Sequence, residues 1–253
     1  MRVKPNALIF VALFVVYLVV VSIFWKANDF EYDDISLSVE NVKNGIALPV
    51  GVGALLLAVA TTVLGWWGPV VKEPLRLSNK LAKLLPIVLV LGAGVNLIAT
   101  DWENVTGEFG TWLVVSVLLV GFSEELLCRG IGIVGARGTF PEMKAAFFTA
   151  IMFGLLHVPN AFFGQSAKAT VQQVIFATLF GIVYYTLRRA TGGIIVPMLL
   201  HALWDGSLFV NDHSGADPAP TSNLLMILAI VFSFISLRHW WKTTKDAPEV
   251  ATA

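Results

Sequence analysis

The sequence predicts an all-α, polytopic membrane protein with about eight transmembrane helices and a functional site between helices 4, 5 and 7. Three observations carry that expectation. Of 253 residues, 57% are hydrophobic and only 13% are charged, whereas a soluble domain carries about 25% charged residues. Apolar runs recur from one end of the chain to the other, most of them long enough to cross a ~30 Å hydrocarbon core. The short polar segments between them alternate between basic and acidic. Formal net charge is zero, so no basic surface argues for a nucleic-acid partner. The single cysteine, Cys128, excludes an internal disulfide and a cysteine-based zinc cluster. It lies in an apolar run, where a small buried thiol is the simplest reading.

Residues Ala7 to Trp25 form the first span. Arg2 and Lys4 precede it, but Lys26-Ala27-Asn28-Asp29 follows with no small-x-small cleavage site, so it reads as an uncleaved anchor. Residues 26–44 are acidic and polar and make a short external loop. Span two runs from about Gly45 to Trp67 and is closed by Gly68-Pro69. Lys72, Arg76, Lys80 and Lys83 follow it. Span three covers about Leu84 to Thr100, and span four about Gly110 to Val134. Span five, about Ala145 to His157, should stop at Val158-Pro159-Asn160, because proline removes a donor and disfavours helix in the residue before it. Ala161–Ala169 is then a loop or a re-entrant piece. Spans six, seven and eight cover about Thr170–Leu187, Gly193–Val210 and Asn223–Leu237, and Asp246–Ala253 reads as a frayed tail. No internal repeat or linker is visible, so residues 1–253 read as one integral membrane domain.

Orientation follows from the basic residues. With the N-terminus cytoplasmic, the inner loops and tails hold Arg2, Lys4, Lys72, Arg76, Lys80, Lys83, Arg129, Arg137, Lys144, Arg188, Arg189, Arg238, Lys242 and Lys245. The outer loops hold only Lys26, Lys43 and Lys168. That bias predicts a multi-pass plasma (inner) membrane protein with both termini cytoplasmic. Most tryptophans fall at span ends, as an interfacial belt requires; Trp204, inside span seven, is the exception.

Span four carries the informative stretch, Gly121-Phe122-Ser123-Glu124-Glu125-Leu126-Leu127-Cys128-Arg129. An ionisable group in a membrane costs on the order of 2.5–3.5 kcal/mol on insertion scales, so it usually marks function. Glu125 and Arg129 are four apart with the acid first, the favourable order for a salt bridge on one helix face. Glu124 lies about 100° around the helix and is left unpaired. Arg129 therefore reads as holding Glu125, with Glu124 as the free chemical group. The plainer alternative is a helix-end charge cluster at the cytoplasmic surface.

Two other spans supply partners. Span five ends in Phe153-Gly154-Leu155-Leu156-His157, and span seven contains His201-Ala202-Leu203-Trp204-Asp205, with His201 and Asp205 four apart on one face. A lone histidine on an apolar helix is usually a structural hydrogen-bonding residue, but two of them and an aspartate in polar-poor spans are harder to dismiss. At 1.5 Å per residue, Glu124 lies roughly 9 Å from the cytoplasmic edge, His201 about 12 Å, and Asp205 and His157 about 18 Å. All four can share one layer in the cytoplasmic half. A buried glutamate suits general-base activation of water, and histidine with a carboxyl or amide group can stabilise an oxyanion. The set Glu124, His157, His201 and Asp205 could alternatively bind Zn²⁺. The H-E-x-x-H helix, the G-x-S-x-G elbow and the Gly-x-Gly-Asp motif are all missing.

These three motifs in order, Glu124-Glu125-x-x-x-Arg129, Phe153-x-x-x-His157 and His201-x-x-x-Asp205, resemble the CPBP family. Its members are intramembrane proteases related to the eukaryotic CAAX prenyl endopeptidases and to the bacterial Abi proteins. The resemblance covers about residues 110–210, which become the expected catalytic core. It implies that Glu124 activates water, that His157 and His201 orient or polarise the substrate, and that Asp205 takes the last position, with Glu125 and Arg129 supporting. Eukaryotic members have asparagine at that last position. An ionised aspartate would oppose an oxyanion, which leaves three roles for Asp205: protonated, holding His201, or favouring a metal. The expected activity is hydrolysis of a peptide bond in a membrane-associated protein or peptide, prenylated CAAX-like tails among them, with glutamate-activated water. No cofactor is expected on that reading, zinc being the alternative. A second class of function also fits the helices, a non-catalytic membrane scaffold or bacteriocin self-immunity protein of the same fold. A transporter would call for inverted repeats or paired broken helices, which are not visible.

Overall fold

The computed structural model describes residues 1–244. Lys245 and the expected Asp246–Ala253 tail lie outside the described residues. Within them the chain is helical, with no strand beyond one isolated bridge between Lys72 and Gly193. Eight long helices follow in order: α1 (Ala7–Ala27), α2 (Val39–Leu64), α3 (Lys80–Ala99), α4 (Gly107–Arg137), α5 (Glu142–Leu155), α6 (Ala167–Thr191), α7 (Ile195–Ser214) and α8 (Pro220–Thr244). Among the described residues, seven helices are long and apolar enough to cross a membrane. The exception is α7: its 20 residues suffice for length, but His201, Asp205, Asn211, Asp212 and His213 dilute its apolar run.

The ends are set by side-chain caps and by glycine. Asn6, Asn79, Thr106 and Ser166 each accept a backbone N–H of the first turn of α1, α3, α4 and α6, groups that otherwise have no intrahelical partner. Gly65, Gly192 and Gly215 end α2, α6 and α7 in the left-handed region. Several expected boundaries move for these reasons. Span two begins earlier, behind the Ser38 cap, and ends at Leu64 rather than Trp67. Trp66 then turns inward, fully buried, and donates its indole N–H to the Val3 carbonyl at 2.8 Å. Span five starts at Glu142, and its helix ends at Leu155. Pro159 sits in the first turn of a 3₁₀ segment, Val158–Phe162, where its missing N–H costs nothing. Span four is a few residues longer than expected at each end, Gly107 to Arg137, and contains a π-helical stretch, Leu126–Gly132, just past the glutamates.

Two faces of the bundle differ. At one face the N-terminal segment, the 65–80 connection, the α4–α5 turn and the α6–α7 turn meet. Glu73 accepts from Arg137 through both oxygens, at 3.0 Å each, and from Arg188 at 2.8 Å. Arg137 also forks onto Glu142, which accepts from the Tyr185 hydroxyl. Arg188 further donates to the carbonyls of Pro69, Val70, Lys72 and Arg129. Burial alone would raise the Glu73 carboxyl's pKa, but the Arg137 and Arg188 guanidiniums outweigh it and hold the group below the usual range. The expectation of Arg188 and Arg189 in an inner loop is corrected here: both lie in α6 and are fully buried. Arg129 is likewise no loop residue but a buried member of α4. Guanidinium groups with many carbonyl and carboxylate acceptors can be buried where a lone charge cannot.

At the opposite face, the 28–38 loop, the 3₁₀ segment after α5 and the start of α6 are tied together. The Tyr32 N–H donates to the Phe163 carbonyl, and the Trp25 ring packs edge-on against Phe163 at 5.2 Å. Gln173 links Asn160 to the Tyr32 hydroxyl through bonds of 2.9 and 2.7 Å.

Candidate active site

The α4 helix brings the glutamates to α7 because Gly121 lets the two backbones touch. A Cβ at Gly121 would fall on the Met198 carbonyl oxygen and within 3.1 Å of the Ala202 nitrogen. Small residues at a membrane helix interface allow this approach. One turn on, Glu125 is fully buried, with Oε1 2.9 Å from Arg129 Nη1 and 3.0 Å from His201 Nδ1. The Arg129 guanidinium lies 3.8 Å over the Phe153 ring, a contact that favours a cation.

His201 is held from several sides. Its ring stacks on Tyr184, with centroids 5.0 Å apart and planes at 21°, and meets the edge of Phe153 at 5.6 Å. Its Nε2 is 3.3 Å from Asp205 Oδ2 and 3.9 Å from Glu124 Oε2. Of the three roles open for Asp205, the geometry is that of a residue holding His201. Both ring nitrogens face carboxylate oxygens. Glu124 stands apart: its carboxyl has no ion pair within 3.5 Å and faces the cavity at 17% exposure. His157 sits where α5 gives way to the 3₁₀ segment, its Nδ1 3.3 Å from the Phe153 carbonyl and its ring edge-on to Phe153.

Glu124, His157, His201 and Asp205 all line one cavity of about 660 Å³. The placement between helices 4, 5 and 7 is therefore the placement in the fold, as α4, α5 and α7, with α1 and α6 closing the sides. Sequence reasoning missed the closing residues. Tyr17 of α1 lines the cavity, and its hydroxyl is 3.1 Å from Ser123 Oγ. Tyr184 of α6 stacks on His201. Neither lies in a motif, and an aromatic in an apolar helix gives no signal of the partner it meets across the bundle.

Among the described residues no group of three or more His, Cys, Asp or Glu could hold a metal ion. The nitrogens of His201 are directed to Glu125 and Asp205, and that arrangement does not fit a tetrahedral centre in which imidazole nitrogen points at the ion.

Residues 106–207 match the family model of the type II CAAX prenyl endopeptidases, Rce1-like. The match begins at the cap of α4 and ends in α7, so it contains every residue of the site motifs and leaves α1, α2, α3 and α8 outside it. No curated protein and no solved structure matches the chain. The similarity to that family is thus confined to about two fifths of the chain, set in a helical bundle of which seven described helices are long and apolar enough to cross a membrane.

Proposed function

We propose that this chain, with its Rce1-like segment at residues 106–207, is an intramembrane endopeptidase that uses glutamate-activated water. The single observation that carries the reading is the inequality of the two adjacent glutamates. Glu125 is engaged by Arg129 and His201 at 2.9 and 3.0 Å, whereas Glu124 faces the cavity with His201 Nε2 at 3.9 Å.

In this reading a water in the cavity gives a proton to the Glu124 carboxylate as its oxygen attacks the carbonyl carbon of a bound peptide. His157 and His201 border the cavity where the tetrahedral oxyanion forms and are the groups that orient and polarise it in this reading. Collapse breaks the C–N bond, and the proton on Glu124 passes to the departing amine nitrogen. Glu125 acts as a positioning residue, fixing the His201 ring through Nδ1 while its own charge is balanced by Arg129. Asp205 orients the other side of the ring. A large apolar cavity within a membrane bundle suits a substrate anchored in the bilayer.

The test is proteolysis of a membrane-peptide library by the purified full chain. Glu124→Gln should remain folded and lose cleavage, and exhaustive chelation should leave the unsubstituted protein active. Activity lost on chelation and restored by zinc would overturn the glutamate mechanism. A fully active Glu124→Gln protein would overturn the assignment of the base, and the absence of cleavage by the unsubstituted protein would favour a scaffold.

A further inference from the structure

The side from which the cavity is reached follows from which helix ends line it. They are the C-terminal half of α1 (Tyr17, Trp25), the start of α2 (Gly45, Ile46), the end of α5 with the 3₁₀ segment (His157, Asn160), the N-terminal half of α6 (Gln173, Phe176) and the start of α8 (Asn223, Met226). Up-and-down connectivity puts all of these at one face of the bundle, the face of the 28–38 loop, and Tyr32 and Ile35 of that loop complete the rim. The lining reaches down to Glu124, Tyr184 and His201 and takes in no residue from the Arg2–Lys4, 65–80, 137–142 or 188–194 segments at the other face.

Those excluded segments belong to the face that carries most of the basic residues, against Lys26, Lys43 and Lys168 at the face of the mouth. Arg2, Lys4, Lys72, Arg76 and Lys80 are exposed there, and the 28–38 loop at the mouth instead carries Asp29, Glu31, Asp33 and Asp34 with no lysine or arginine. Positive charge marks the cytoplasmic side of short loops. The mouth and the basic face are at opposite ends of the molecule.

We infer that the site is served from the non-cytoplasmic side, and that its substrate is a membrane-anchored polypeptide that presents its cleavage point at the outer face of the bilayer. This rests on the peptidase reading above and narrows it. A prenylated tail made and anchored on the cytoplasmic leaflet is on the wrong side of this bundle, so the family name does not carry its substrate here. The mouth suits an extended outer-leaflet chain. Its rim offers the polar Asn160, Gln173 and Tyr32, and its walls are apolar at Leu18, Val21, Phe176 and Met226.

The experiment has two arms. Cys128 is fully buried, so single cysteines can be added beside it, one at the mouth (Asn223→Cys) and one at the basic face (Lys83→Cys), both at exposed positions. A sulfonated, membrane-impermeant maleimide applied to intact spheroplasts should label Asn223→Cys at once and Lys83→Cys only after permeabilisation. The reverse pattern would overturn the inference. In the second arm, acyl-anchored library peptides are added to spheroplasts and to inverted vesicles. Cleavage that is confined to spheroplasts and lost in Glu124→Gln supports it, and cleavage confined to inverted vesicles overturns it. If the labelling holds and neither preparation cleaves, the peptidase reading fails and the sidedness stands.

Discussion

Substituting Gly121 by alanine tests whether the approach of α4 to α7 sets the site. The new Cβ would lie well inside 3.0 Å of the Met198 carbonyl oxygen, a separation real side chains do not show, and ordinary contact begins near 3.4 Å. The obstacle is backbone on both sides, so no rotamer change relieves it, and the helices must part by about 1 Å to restore ordinary contact. Added to the 3.0 Å contact between Glu125 and His201, that opening takes it beyond hydrogen bonding. Overpacking of this kind costs about 1–3 kcal/mol. A 1 Å misplacement of a catalytic group costs about 10²-fold in turnover. The assay is paired: thermal unfolding in detergent, and kcat on a cleaved library peptide. A moderately destabilised protein with kcat lower by about 10²-fold is expected. A Gly121→Ala protein with unchanged stability and unchanged kcat would refute the claim that this contact positions Glu125 against His201.

Two further outcomes follow from the buried charges. Arg129→Ala leaves Glu125 without its guanidinium in a fully buried position, and breaking such a pair costs about 3–5 kcal/mol; thermal unfolding and yield check it, and a variant of normal stability would count against the pair's role. Glu73 is held below its ordinary value of 4.5 in the folded protein. The stability this contributes is therefore complete above pH 4.5 and is lost as the pH falls through the lower folded value. Glu73→Gln should flatten that acid limb of a stability-against-pH curve, and an unchanged limb would place the acid sensitivity elsewhere.

The architecture was legible because a bilayer demands long apolar runs, and seven of the eight expected spans match described helices long and apolar enough to cross one. Even α7, too polar to pass on composition, was readable from its position between Gly192-Gly193 and the 211–221 loop. The pairing of Glu125 with Arg129 was legible because four residues on a helix is a fixed geometry. Contacts across the bundle were not. Nothing local tells that Glu125 also binds His201, that Tyr184 stacks on that ring, or that Tyr17 reaches Ser123. Arg188 and Arg189 misled for a related reason. A basic pair at a span end looks solvated until the acceptors that bury it, Glu73 and the carbonyls of the 69–75 segment, are brought in from another part of the chain.

The π-helical stretch Leu126–Gly132 also has a meaning for the history of the gene. A π turn amounts to one residue inserted into an α-helix, and each residue turns the helix by about 100°. Upstream of the stretch, α4 presents Gly121 to α7; downstream, it presents Gly135 to the backbone of α1, where an added Cβ would lie 2.8 Å from the Asn6 carbonyl oxygen. The two glycine faces are phased by that extra residue. A chain that lost one residue between 130 and 132 would keep every motif letter and its spacing and yet rotate half of α4 against the other half, so its glutamates and its α1 contact could not both be seated. Among relatives, a single-residue gap at this point is thus the length change to expect least.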